Sequence, residues 1–243
     1  MSLSAKNLNG VEEFVSGTLT VYELKQPDKV FRKRLWEQPD KHAYSKEEFY
    51  KFFPNDLYAD ENNQYTWEKT KTAFKRNFNT KTDKGVLISE FGGLSPGVYL
   101  IEGLCKDVAG QEIKSINYVT VYNPLSSEMP VKAPQWAYSM KATAEPGEKA
   151  SFILASSYKD VHCIYDLEAE KVSKTSTITP SLKPIEITIE ENNRGGMIAN
   201  TWFVKFGRVY SYAQQIVVPF TNKELNIEYS TFRNKLLPGQ QEE

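Results

Sequence analysis

A chain of 243 residues is long enough for two ordinary domains, each able to bury its own core without a metal or a disulfide framework. Thirty basic residues against thirty-one acidic ones, with no long run of either sign, leave no electrostatic footprint for nucleic acid or for an anionic membrane surface. Aromatic residues make up 13% of the chain, and Val, Ile and Thr crowd into short segments, a composition that favours pleated, half-buried surfaces and an all-β fold.

In chain order, "VSGTLTVYEL" (15–24) alternates apolar with small or polar residues, the period of a strand with one buried face. From about 29 to 66 the pattern changes to a charged, aromatic insertion with one clear helix signal. Ser45 stands three residues before Glu48, a capping box, with Phe49, Phe52 and Phe53 on one side and Pro54 as the stop. Alternation returns at "WEKTKTAFKRNFN" (67–79), at 85–89, across "GGLSPGVYLIEGLCKDVAGQEI" (92–113) and in "EIKSINYVTVY" (112–122), about six strands in all. The proline-rich stretch "NPLSSEMPVKAP" (123–134) has no strand period and reads as a surface linker, placing the domain boundary near 124.

Seven further strands follow, at 136–142, 149–156, 161–170, 172–179, 184–189, 201–206 and 208–219, with turns such as Glu145-Pro146-Gly147 between them. That spacing is expected of an antiparallel sandwich. The chain is therefore read as two consecutive antiparallel immunoglobulin-like β-sandwiches, 1–124 with the insertion and 125–223. Residues 224–243 begin a third apolar alternation. The polar start "MSLSAKN" lacks the apolar core of a secretory signal, no stretch reaches the roughly 18–20 apolar residues of a membrane span, and the chain is read as a piece of a longer protein.

Chemistry-bearing constellations are sparse. His162 and Cys163 are strand neighbours whose side chains point to opposite faces, so they form no nucleophile–base pair. Cys163, on the face of Val161, Tyr165 and Leu167, and Cys105, on the face of Tyr99 and Ile101, both read as core thiols. Asp56, Asp60, Glu61, Asn62 and Asn63 supply hard oxygens but not the spacing or the glycine of a calcium loop. Paired carboxylates such as Glu190 and Glu191 lack a setting that would raise one pKa, and His42 lies alone in the insertion. Neither a catalytic residue nor a metal or cofactor site is expected. The aromatics Trp36, Phe49, Tyr50, Phe52, Phe53, Tyr58 and Trp67 either form a carbohydrate platform or pack the insertion onto its host.

Taken together, "VFRKRLWEQPD" (30–40), "SKEEFYKFFPNDLY" (45–58), "LSPGVYLIEGLCKDVAGQEI" (94–113), "AEPGEKASFILASSYKDVHCIYDLE" (144–168), "RGGM" (194–197) and "VPFTNKELNIEYSTFRNKLLPGQQE" (218–242) form an ordered series. It resembles an internal segment of the large bacterial alpha-2-macroglobulin-like proteins, particularly those of Bacteroidetes, over nearly the whole chain. The resemblance implies a row of macroglobulin domains in an exported or lipid-anchored protein, periplasmic or at the cell surface, that traps proteases. Its reactive thioester has a cysteine followed closely by Glu-Gln or a similar pair. Cys105 is followed by Lys106 and Asp107, and Cys163 by Ile164 and Tyr165, so neither carries it. The expected role is a non-catalytic structural module of such a protease inhibitor, its partners the neighbouring domains of the parent chain and, for the whole protein, proteases. The rival expectation is a cell-surface glycan-binding or adhesin module using the aromatic insertion.

Overall fold

A computed structural model describes residues 3–223 apart from positions 84, 87, 108 and 171; the expected start of a third domain, 224–243, lies outside the described residues. The chain is all-β and its sheets are antiparallel, with one short α-helix among the described residues. Strands β1 (Ser16–Leu24), β2 (Lys69–Asn79), β3 (Gly97–Lys106) and β4 (Glu112–Val121) form one four-stranded sheet in the order β2-β1-β3-β4.

Strand β3 explains why this sheet needs cover on both sides. Six consecutive residues from Gly97 are buried, so its alternation is apolar on each face. Tyr99 and Ile101 meet Leu19 and Val21 of β1, together with Phe78 and Val86. On the other face Val98 and Leu100 pack with Leu24, and with the half-buried Trp67, Tyr118 and Val131. Glu102 shares that second face and is only 5% exposed. Lys114 and Lys69 hold it at 2.7 and 2.8 Å, and their hydrogen bonds lower its pKa. At Gly17 the sheet tolerates no side chain, because a Cβ there would lie 2.2 Å from the Leu104 carbonyl oxygen.

Among the described residues the expected strand at 85–89 does not form; a 3-10 turn, Ile88–Phe91, occupies the end of that stretch. The first half thus carries four strands in one sheet among the described residues, where about six were expected. Its opposing layer comes from the 80–96 connection, through Val86, Phe91 and Leu94, and from Leu3. An irregular connection can cover an apolar face without ladder bonds, so alternation alone did not separate the two cases.

The second half holds all seven expected strands. They are β5 (Trp136–Lys141), β6 (Lys149–Ala155), β7 (Cys163–Ala169), β8 (Val172–Ile178), β9 (Ser181–Thr188), β10 (Met197–Lys205) and β11 (Arg208–Ile216). A four-stranded sheet, β11-β10-β7-β8, faces a three-stranded one, β5-β6-β9. Alternate residues from both sheets make the core, including Phe152 and Leu154 of β6, Cys163 of β7, Ala199 and Phe203 of β10 and Ile216 of β11. Burial of each large side chain contributes about 1.5–3 kcal/mol. Pro184 lies inside β9, and the sheet accommodates it because β9 is an edge strand with an irregular register against β6.

Because its folded pKa lies below its unfolded one, Glu102 stabilises the chain above the ordinary glutamate value of about 4.3, and that contribution is lost as pH falls through the folded pKa. Urea unfolding at pH about 7 and about 3 should show the wild type losing more of its midpoint than Glu102→Gln. Equal losses would show that Glu102 does not govern the acid limb.

Candidate functional site

The two halves meet at a junction that the insertion and the linker build from opposite sides. The insertion is organised by its helix, α1 (Lys46–Phe52), which starts where the capping box requires it. The Ser45 hydroxyl accepts from the Glu48 amide at 3.3 Å, and the Ser45 amide donates to the Glu48 carboxylate at 2.9 Å. Only one face of this helix, about two turns long, packs inward. Phe49 packs edge-on to Tyr58 and Tyr50 leans on the buried Phe31, whereas Phe52 and Phe53, expected on the packed side with Phe49, are 63% and 42% exposed.

Of the five acidic and amide side chains expected to cluster, Asp56, Glu61 and Asn63 are engaged by the protein itself, while Asp60 and Asn62 are exposed. Glu61 accepts from the Tyr50 hydroxyl at 2.7 Å and from the Ala59 amide at 2.8 Å. Burial pushes its carboxyl up, but these hydrogen bonds and nearby Lys46 leave it lowered overall. Asn63 accepts from the Tyr65 amide and caps a 3-10 turn. Asp56 forms a bidentate pair with Arg32, at 2.6 and 2.5 Å. Among the described residues no group of three or more His, Cys, Asp or Glu side chains is arranged to hold a metal ion.

Arg32 links the halves. While its Nε and Nη2 engage Asp56, its Nη1 donates to the Phe206 carbonyl at 2.7 Å. Phe206 and Gly207 turn the β10–β11 hairpin, both with positive φ (48° and 66°), the geometry of a tight two-residue turn. That conformation directs the Phe206 carbonyl away from its own ladder and towards the insertion. Beneath it, Tyr158 packs edge-on to Phe206 and Tyr210 stacks on Phe203. Burial, and then the neighbouring Tyr210 hydroxyl, raise the Tyr158 pKa.

On the other side the linker is pinned rather than loose. Gln26, just past β1, donates to the Pro130 carbonyl at 2.7 Å and accepts from the Lys132 amide at 3.0 Å. Ser156 donates to the Pro134 carbonyl at 2.7 Å, the Ser157 amide donates to the Ala133 carbonyl at 3.0 Å, and the Ala133 amide donates to the Ser157 hydroxyl at 3.1 Å. Met129, Tyr122 and Trp136 cover Ile153, Ala155 and Leu182, the outer face of the three-stranded sheet. Pro130 is fully buried.

Trp67, one of the expected platform aromatics, is half-buried against the first sheet with its indole N–H donating to the Glu61 carbonyl at 2.8 Å. His42 stacks on Tyr58 at 4.0 Å, and Trp36 is 64% exposed. The cavity between the insertion and Arg208 measures about 70 Å³, well below the roughly 300 Å³ at which small-molecule pockets begin. Cys163 is fully buried, as expected, and burial raises its pKa. Cys105 is only half-buried. No helix among the described residues is long and apolar enough to cross a membrane.

The chain matches no protein-family model and no curated protein. Sequence reading did not single out Arg32, Gln26 or Tyr122. A signal existed for Tyr122 alone: the uninterrupted apolar run Phe152-Ile153-Leu154-Ala155 requires a cover on its second face, whereas nothing local in the sequence marks Arg32 or Gln26.

Arg32→Ala should lower stability by about 2 kcal/mol, because it leaves the Asp56 carboxylate and the Phe206 carbonyl without their donor. Urea unfolding of the single variants and of Arg32→Ala/Asp56→Asn checks this: the double variant should lose less than the sum of the two. Additive losses would mean that the pair does not act as one unit.

Proposed function

We propose that this chain is a non-catalytic structural module of an alpha-2-macroglobulin-like protease inhibitor, located in the periplasm or at the cell surface with its parent protein. Its task is to hold neighbouring domains at a set distance and angle. The observation that carries the reading is the junction itself, where Arg32 joins the insertion to the β10–β11 turn and Gln26 joins the first half to the linker. These are the two places where a chain of β modules would otherwise flex.

The same geometry supports assigning no bait role to the insertion. A segment meant for cleavage has to fit, extended, into a protease cleft, and the insertion is held by a capped helix, a bidentate ion pair and an aromatic cluster. Neither histidine is placed for catalysis: His42 is stacked on Tyr58, and His162 is exposed beside the buried Cys163. On this reading the isolated module neither hydrolyses substrates nor inhibits proteases by itself, and proteases are partners of the whole parent.

Limited proteolysis tests the reading. Trypsin, chymotrypsin and subtilisin at low ratio should leave 29–66 and 123–134 intact, and in the parent protein Arg32→Ala should lower the number of protease molecules trapped without moving the cleavage site. Rapid cutting within 29–66 would make the insertion a bait segment and sink the scaffold reading. Unchanged trapping by the variant would show that the junction does not transmit geometry.

A further inference from the structure

A sheet edge is a row of unpaired N–H and C=O groups, and most of the outer strands of this fold are protected against adding another strand. Strand β9 contains Pro184, β5 breaks register between Ser139 and Lys141, β2 pairs with register shifts, and β11 is met at its end by the bridge Thr143 to Val217. Strand β4 has none of these devices. Its ladder to β3 runs from Glu112 to Val121 without a shift, and the strand contains neither proline nor glycine. Its one lysine, Lys114, is drawn back onto Glu102.

The phase of the hydrogen bonds fixes which of its groups face outward. In an antiparallel pair, alternate residues turn both their N–H and their C=O to the same neighbour. The Asp107 amide donates to the Gln111 carbonyl across the β3–β4 hairpin, so Cys105 with Ile113 and every second pair beyond are the bonded ones. At the other edge of the sheet the Thr80 amide donates to the Val15 carbonyl, and counting from there across β1 and β3 gives the same phase. Glu112, Lys114, Ile116, Tyr118 and Thr120 therefore direct their backbone groups out of the sheet, and no donor or acceptor among the described residues meets them. The first six residues of β4 are exposed, Ile113 by 47% and Ile116 by 46%.

We propose that β4 is a self-association edge: two copies of the chain pair β4 to β4, antiparallel about a two-fold axis at Ile116, and join their four-stranded sheets into one continuous sheet. The sequence of the strand selects a second copy as the occupant. In this register Ile116 meets the partner's Ile116, Ile113 meets the partner's Val119, Lys114 meets the partner's Tyr118 and Glu112 meets the partner's Thr120. Each exposed isoleucine gains an apolar neighbour, and no like charges stand opposite one another. An axis at Lys114 would oppose two lysines, one at Ser115 would set Ile116 against Lys114, and one at Asn117 would set Val119 against Ser115. The paired edges exchange about ten backbone hydrogen bonds, and a net charge of -1 leaves no long-range repulsion between copies. Ile113, Ser115 and Asn117 also line, with Cys105, an open groove of about 630 Å³ on one face of the sheet. Pairing brings the grooves of the two copies onto the same face of the joined sheet, because residues directly opposite share a face.

Hydrogen exchange by NMR on the full chain over a concentration series reads this edge residue by residue, with light scattering giving the mass. The amides of Glu112, Lys114, Ile116, Tyr118 and Thr120 should slow roughly tenfold where about nine-tenths of the chains are paired, while those of Ile113, Ser115, Asn117 and Val119, already bonded to β3, should not change. Ile116→Lys should give a monomer whose outward amides exchange fast at every concentration, since like charges would face each other across the axis. The fold tolerates that change, because Ile116 is exposed and lies across from Glu102 of β3. Ile116→Cys in a Cys105→Ser background should oxidise to a disulfide-linked dimer, because a bonded pair holds its Cα atoms about 5.5 Å apart, within disulfide range. A chain that stays monomeric throughout the series overturns the inference. So does a dimer whose outward amides still exchange fast, which would place the contact elsewhere, and so does protection of those amides in the monomer, which would mean that the chain covers its own edge.

Discussion

The constraint on which the rest of the structure depends is that the central strand of each half is apolar on both faces. Along β3, Tyr99 and Ile101 point one way and Val98 and Leu100 the other. Along β6, Phe152 and Leu154 enter the sandwich core while Ile153 and Ala155 point out of it. An antiparallel sheet normally leaves one face to water, so a strand of this kind must find a second cover. Here the second covers are Trp67 and Val131 for one sheet, and Tyr122, Met129 and Trp136 for the other. Insertion, linker and strand end are thus fixed by hydrophobic burial before any polar contact acts.

The polar contacts then set direction. A bare apolar cover can slide, because burial is non-directional. Gln26 reads two backbone groups of the linker at once, and Arg32 reads a carboxylate and a carbonyl with one planar fork. Most other ion pairs, such as Lys149 with Glu186, sit on solvent-facing strands and add little. The buried Glu102 differs, since two lysines compensate its desolvation and its position pins three strands together.

Local signals were legible where one residue or one period decides the outcome. The Ser45–Glu48 capping box placed the helix, and the turn and strand spacing of the second half placed all seven of its strands. Cys163 was legible as core because both of its strand-face neighbours, Val161 and Tyr165, are apolar. The stretch 85–89 was not legible, since an apolar segment covers a sheet equally well as strand or as turn. Phe52 and Phe53 share a helical side with Phe49, yet the helix is too short to bury more than one of its turns.

By itself the sequence determined the all-β class and the sheet-forming periods, because each follows from residue type and local spacing. Only the tertiary structure decided what covers each second face, which carbonyl Arg32 would meet, and that Cys105 would line an open groove instead of a closed core. The polar links join residues more than a hundred positions apart, Arg32 with Phe206 and Gln26 with Pro130. Alternation states that a face is apolar; only packing states what it will rest against.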